Sequence, residues 1–300
     1  MNLTPLDDVS LVQDERLRRC VFLAGLVVMC YDYLLTLELE VTHMWETKLK
    51  RSSAWFFLVR YVALGGNIAL AVYFLGNLDA QVCRKLSVVE NILLVVQETF
   101  VEVTLAIRVS AMYKFSRRVF VALAFAAVLT ISLAVWAITG PDDSPAIIPI
   151  LPGCHVATGH QTAIRMAAAW EAQLFCDILI LGLTLRRAYM HHSDVACLGS
   201  RMSLFQTMVR DGVLYFGMIC VVYLANIIML YTGDVIMAGS LAWFASSVSV
   251  TMVSRLMLNL HRAATGNWMP SYSQSEVDAQ VKDLVAPNLE VGVADSQGTS

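Results

Sequence analysis

The stretch Tyr31–Tyr61, YDYLLTLELEVTHMWETKLKRSSAWFFLVRY, decides how this chain is read. Asp32 sits near the end of one apolar run and Arg60 near the start of the next, with a short charged segment containing Trp45 between them. The first run, residues 20–37, would rise about 27 Å as a helix, enough for the ~30 Å hydrocarbon core of a bilayer. A charge inside such a run is expensive unless it is paired or used. Asp32 falls roughly 8 Å from one end of its run, and Arg60 roughly 9 Å into the next. Matched depths on consecutive spans predict a buried ion pair, Asp32–Arg60. Such a pair either holds the fold or breaks on activation.

Working outward, similar apolar runs recur along the 300 residues. Spans are expected at about 20–37, 54–75, 87–109, 119–139, 164–185, 212–231 and 235–256. The fourth is cleanly apolar and stops before Gly140-Pro141, and a Pro-rich loop follows. Residues 1–19 form a polar N-terminal segment, and 263–300 a polar tail without apolar period, which reads as disordered. The composition agrees. The chain is 57% hydrophobic with only 15% charged residues, against about 25% in soluble domains, and its mean hydropathy is +0.63. A net charge of −3 gives no basic field for nucleic acid. The expected fold is all-α: a polytopic seven-transmembrane-helix bundle.

Orientation follows from Lys and Arg in short loops. One side holds eleven, including Lys48, Lys50, Arg51, Lys114, Arg117, Arg118, Arg186 and Arg187; the other holds Arg84, Lys85 and Arg165. The richer side should be cytoplasmic, with the N-terminus outside and the C-terminus inside. Arg16, Arg18 and Arg19 beside the first span pull the other way.

Polar residues inside the spans are the candidate chemistry. Glu98 and Glu102, four residues apart, share a helical face. Glu171 and Asp177 lie in the fifth span and Asn226 in the sixth. Ionised acids in hydrocarbon without partners are untenable, so some must be protonated, hydrated or bound to a cation. Two readings stay open. These residues line a polar cavity for a cationic ligand, protons or metal ions, or neutral acids hydrogen-bond between helices. Cys83 and Cys154 fall on the expected outer side, where a disulfide would tie the Pro-rich loop over the bundle; two free thiols are the alternative.

Other chemistries find no footing. All the lysines lie outside the spans, so a retinal Schiff base has no nitrogen in the last helix. The histidines sit in loops or at span ends, unsuited to paired haem ligation within the bilayer. There is no P-loop, Gly-x-Ser-x-Gly, His-Glu-x-x-His or GxGxxG. The expectation is a protein that is not an enzyme and has no cofactor or metal. Its partners would be the lipid bilayer, an unidentified ligand or ion, and a cytoplasmic signalling partner.

Taken together, YDYLLTL, Glu40, Trp45 and Arg60-Tyr61 resemble the N-terminal DUF6533 module of uncharacterised fungal integral membrane proteins. Gly153-Cys154, Arg210-Asp211-Gly212 and SRLMLNL at the end of the seventh span extend the resemblance over most of residues 20–262. The family pattern often places an acid and a base after the motif, whereas Glu38-Leu39-Glu40 here has no base. The resemblance implies a seven-helix membrane protein without a settled activity. A receptor-like sensing role at the plasma membrane is the leading expectation; a proton or cation transporter, or a structural membrane protein, is the alternative.

Overall fold

The structure, a computed structural model, describes residues 5–45, 51–76, 80–141, 159–196, 204–233 and 237–266. These residues form seven α-helices: α1 (Pro5–Glu40), α2 (Arg51–Leu75), α3 (Ala80–Met112), α4 (Arg117–Thr139), α5 (His160–Ala196), α6 (Leu204–Thr232) and α7 (Ala242–Gly266). A π-helical turn, Val41–Trp45, continues α1. The first helix begins well before the expected span, because residues 5–19 are already helical. The seventh begins later than expected, after a turn in which Gly239 takes φ +80° and the Ser240 amide donates to the Met237 carbonyl. Everything up to Asn259 belongs to one compact unit; a second begins at Leu260, and its described part continues helical to Gly266.

Five helices are long and apolar enough to cross a membrane: α1, α2, α4, α5 and α6, over Val12–Glu40, Ser53–Val72, Arg117–Thr139, His160–Arg187 and Val213–Thr232. The chain is a multi-pass membrane protein in composition and in the way its surface is built. Large apolar side chains such as Phe125 (70% exposed), Val72 and Leu34 face outward, while Arg60, Asn67, Gln97, Glu102, Asp177 and Asn226 are buried. That is the reverse of a water-soluble fold, and it is what a hydrocarbon solvent demands.

The two helices too polar to count by composition have a position that explains them. On α7, Ser246, Ser247, Ser249, Thr251 and Ser254 are all buried. Ser246 donates to Gln97 and Ser249 to Glu98, both on α3. Gly25 lets α1 come close to α7: a Cβ there would stand 3.1 Å from the Phe244 Cα. A helix enclosed by other helices need not be apolar to avoid lipid. By contrast α4 buries only Leu123, Ala126, Thr130 and Ala137, one narrow helical stripe, and turns the rest outward. α5 packs between α4 and α6, and α3 against α2, α4 and α5. The buried face of α1 runs Glu15, Phe22, Met29, Asp32, Thr36 and Glu40, a spacing of whole helical turns that is apolar in the middle and polar at both ends.

Candidate functional site

Two polar networks lie inside the bundle. The first joins α1, α2 and α7. The expected Asp32–Arg60 pair is not the one that forms. Arg60 Nε lies 3.1 Å from Glu40 Oε2, and its Nη2 donates to Thr36 Oγ1 at 2.7 Å and to the Tyr33 carbonyl at 3.0 Å. Asp32 is paired instead with Arg255 of α7. The physical reason lies in the helix repeat. Asp32, Thr36 and Glu40 occupy successive turns of one face, and Arg60 meets that face at the level of Thr36 and Glu40. Arg255 fills the place left beside Asp32.

Aromatic groups complete this network. Tyr33 and Tyr61 share a hydroxyl hydrogen bond of 2.9 Å; Tyr61 and the Trp45 indole N–H both donate to Glu40 Oε1. The Arg60 guanidinium lies over the Tyr33 ring, 4.6 Å from its centroid. The aromatic, acidic and basic residues quoted from the Tyr31–Tyr61 stretch therefore meet in space. Glu40 was missed as an ion-pair partner because the sequence places it in a loop; it is the last residue of α1.

The second network is built around α3. Glu98 accepts a hydrogen bond from the Tyr223 hydroxyl of α6 and a longer one, 3.4 Å, from Ser249 of α7. One turn on, Glu102 accepts from Cys176 Sγ of α5 at 3.0 Å and from Thr130 of α4 at 3.4 Å. Gln97 accepts from Ser246 and from Asn67 of α2. α3 is thus the hub through which α2, α4, α5, α6 and α7 are polar-linked.

Asp177 is fully buried and within electrostatic reach of both Glu98 and Glu102. The Gln173 amide stands close enough to act on its carboxyl, but no well-formed hydrogen bond reaches either oxygen among the described residues. Both amide atoms of Asn226 and Gln173 Nε2 also lack a well-formed hydrogen bond among the described residues. Buried polar groups in folded proteins are nearly always satisfied, by protein or by bound water, so this cluster is short of partners. Glu171 does not join it. It is exposed, and its carboxylate accepts from Tyr231 at the end of α6. It lies six residues before Asp177, about 240° round the helix, so the two acids point to different sides.

A half-enclosed cleft of about 60 Å³ opens beside the acids, between α3, α4 and α5. Glu98, Glu102, Thr130 and Gln173 supply its polar wall; Leu94, Ile131 and Trp170 are among its apolar lining. Trp170 stands edge-on to Tyr223, ring centroids 5.1 Å apart, and so backs the Tyr223–Glu98 hydrogen bond. The volume holds a few water-sized groups and is far below the roughly 300–1,000 Å³ of pockets that enclose a whole drug-sized ligand. No group of three or more His, Cys, Asp or Glu among the described residues is arranged to hold a metal ion. The Cys83–Cys154 disulfide lies outside the described residues, since Cys154 and the Cys83 side chain are not among them.

The fold and the site define a multi-pass helical membrane protein with a polar, acid-rich interior. Residues 20–65, the segment that builds the Glu40–Arg60 network, match the model of a family of unknown function, DUF6533. Among curated proteins, none matches the chain.

Proposed function

We propose that this chain is a receptor-like seven-helix membrane protein, and not an enzyme, whose intramembrane cleft takes the cationic head of a small amphiphilic ligand. One observation carries the reading: Glu98 and Glu102 line the same cleft, with an otherwise largely apolar wall. Two carboxyls beside a third, Asp177, and no described cation among them, favour a positively charged guest. Leu94, Ile131 and Trp170 suit an alkyl or aromatic body, and the ring of Trp170 suits an ammonium. Only the head and a methylene or two fit inside; the rest of the ligand would leave through the open side. In this reading all seven helices cross a membrane, the plasma membrane, with the N-terminus outside. The basic loops and C-terminal tail then face a cytoplasmic signalling partner.

The test is thermal melting of the full chain in lipid nanodiscs with hexylammonium, hexanol or hexanoate. Saturable stabilisation by hexylammonium alone, lost in Glu98→Gln/Glu102→Gln, is expected. Equal stabilisation by hexanol would refute a cation site.

A transporter or channel is the second reading, favoured by Asp177 standing fully buried near both glutamates with only the Gln173 amide beside its carboxyl. It is weakened by Glu171 facing outward and by Asp32 being engaged with Arg255. Proton and cation flux into liposomes carrying the protein, compared with the same double variant, separates the two readings.

A further inference from the structure

The α3–α4 turn and the neighbouring stretch of α5 up to Met190 carry cations and no acid. Lys114, Arg117 and Arg118 lie in or just after the turn, and Arg186 and Arg187 on α5. Two contacts bring these groups together. The Tyr113 hydroxyl donates to the Leu183 carbonyl at 2.9 Å, and the Arg187 guanidinium lies 5.9 Å from the Tyr113 ring centroid. No acid occurs in the sequence of α3 after Glu102, in the turn, in α4, or in α5 from Ile178 to Met190. None of the five cations has a carboxylate partner among the described residues.

Local structure makes this charge harder to keep unbalanced. Arg117 and Arg118 open α4, where the helix dipole disfavours cations. Ser116, in the capping position, makes no side-chain hydrogen bond to the first turn. The turn itself places two consecutive non-glycine residues, Lys114 and Phe115, at φ 52° and 54°. Such left-handed positions are uncommon for these side chains and persist only when held by their surroundings. The turn holds the Phe115 ring 63% exposed, beside the cations. An exposed aromatic ring at the end of apolar helices, flanked by Lys and Arg, is the composition of a membrane–water interface.

We propose that this end of the protein binds the phosphorylated headgroup of an anionic membrane lipid, gripped by Lys114, Arg117, Arg118, Arg186 and Arg187. Clusters of four to eight Lys and Arg directly flanking membrane helices attract multiply charged headgroups. Four of the five cations here are arginines, whose planar forks match phosphate oxygens in pairs. Five positive charges exceed what one phosphodiester balances, so the fitting partner is a phosphoinositide carrying additional phosphates. Its acyl chains would lie along the apolar outer surface of α4, where Phe120 and Val121 are exposed.

The test uses the full chain in neutral mixed micelles and a fluorescent short-chain phosphatidylinositol bisphosphate, read by anisotropy. Unlabelled short-chain phosphatidylinositol bisphosphate should compete, short-chain phosphatidylcholine should not, and free inositol trisphosphate should compete at least tenfold more weakly. Arg117→Gln/Arg118→Gln should weaken binding about thirtyfold. Arg186→Gln, at an exposed position, gives the same direction with no risk to folding. Arg16→Gln, an exposed arginine on α1, should change nothing. Unchanged binding in both cluster variants, or an equal loss in Arg16→Gln, would overturn the site. Equal competition by free inositol trisphosphate would overturn the lipid and leave a soluble anion.

Discussion

Replacing Arg60 by Met should be among the most damaging single changes in the chain. The Arg60 side chain is 5% exposed and that of Glu40 fully buried, so neither charge has water to fall back on. Removing the base leaves Glu40 with only the Tyr61 hydroxyl and the Trp45 indole as donors. It also removes the donors to Thr36 and the Tyr33 carbonyl and the contact with the Tyr33 ring. Breaking one partner of a buried pair costs about 3–5 kcal/mol, most of it the stranded charge. The double variant Glu40→Met/Arg60→Met removes both charges and should recover much of that loss. Asp32–Arg255 provides the contrast. Asp32 is buried but Arg255 is 37% exposed, so losing Arg255 should cost less than losing Arg60. The assay is equilibrium unfolding in mixed micelles, run as a double-mutant cycle. A loss below about 1 kcal/mol for Arg60→Met, or a double variant weaker than the single, would refute the reasoning.

Other changes probe the rest of the interior. Tyr223→Phe removes the donor to Glu98 and should cost about 1–3 kcal/mol in the same unfolding assay. The substitution keeps the ring, so unchanged stability would mean that the hydroxyl is not engaged. Gly25→Leu must push α1 off the Phe244 backbone and should destabilise by about 1–3 kcal/mol, whereas Gly182→Ala, with open space around its Cβ, should be silent. A maleimide applied in detergent should label the exposed Cys20 quickly and the buried Cys176 only on unfolding; rapid labelling of Cys176 would contradict its contact with Glu102. Asp177→Leu should raise stability if no guest satisfies the carboxyl, and a loss of stability would show that something does.

Much of the helix pattern was legible because lipid-facing surface writes itself as apolar runs. α4 ends where Gly140-Pro141 says it must. The polar interior was legible in content and less so in pairing. Rise per residue gave Asp32 and Arg60 similar depths, but partner choice depends on which way each helix face turns. The apolar run stops at residue 37 while the helix continues to Glu40, so the true partner of Arg60 was counted as loop. Arg255 could not be read as the partner of Asp32 because nothing local in the sequence shows that α7 lies against α1. Glu171 was separable from Asp177 by helical angle alone. Tyr223 could have been found by the same means: it shares a face of α6 with Asn226, three residues on.

The two networks differ in a way that bears on function. At the α1–α2 end, charges are matched and each acid is engaged: Glu40 by Arg60, Trp45 and Tyr61, and Asp32 by Arg255. Around α3 three acids, Glu98, Glu102 and Asp177, gather with no described cation among them, and Glu98 and Glu102 line a cleft. Opposite charges in contact hold one arrangement, while acids gathered without a cation favour a positively charged guest. A cationic guest in the cleft would therefore bind the folded bundle and stabilise it increasingly as its concentration rises above Kd. That difference in charge is what favours the proposed cation site in the cleft beside Glu98 and Glu102, with the ion-paired α1–α2 network as its frame.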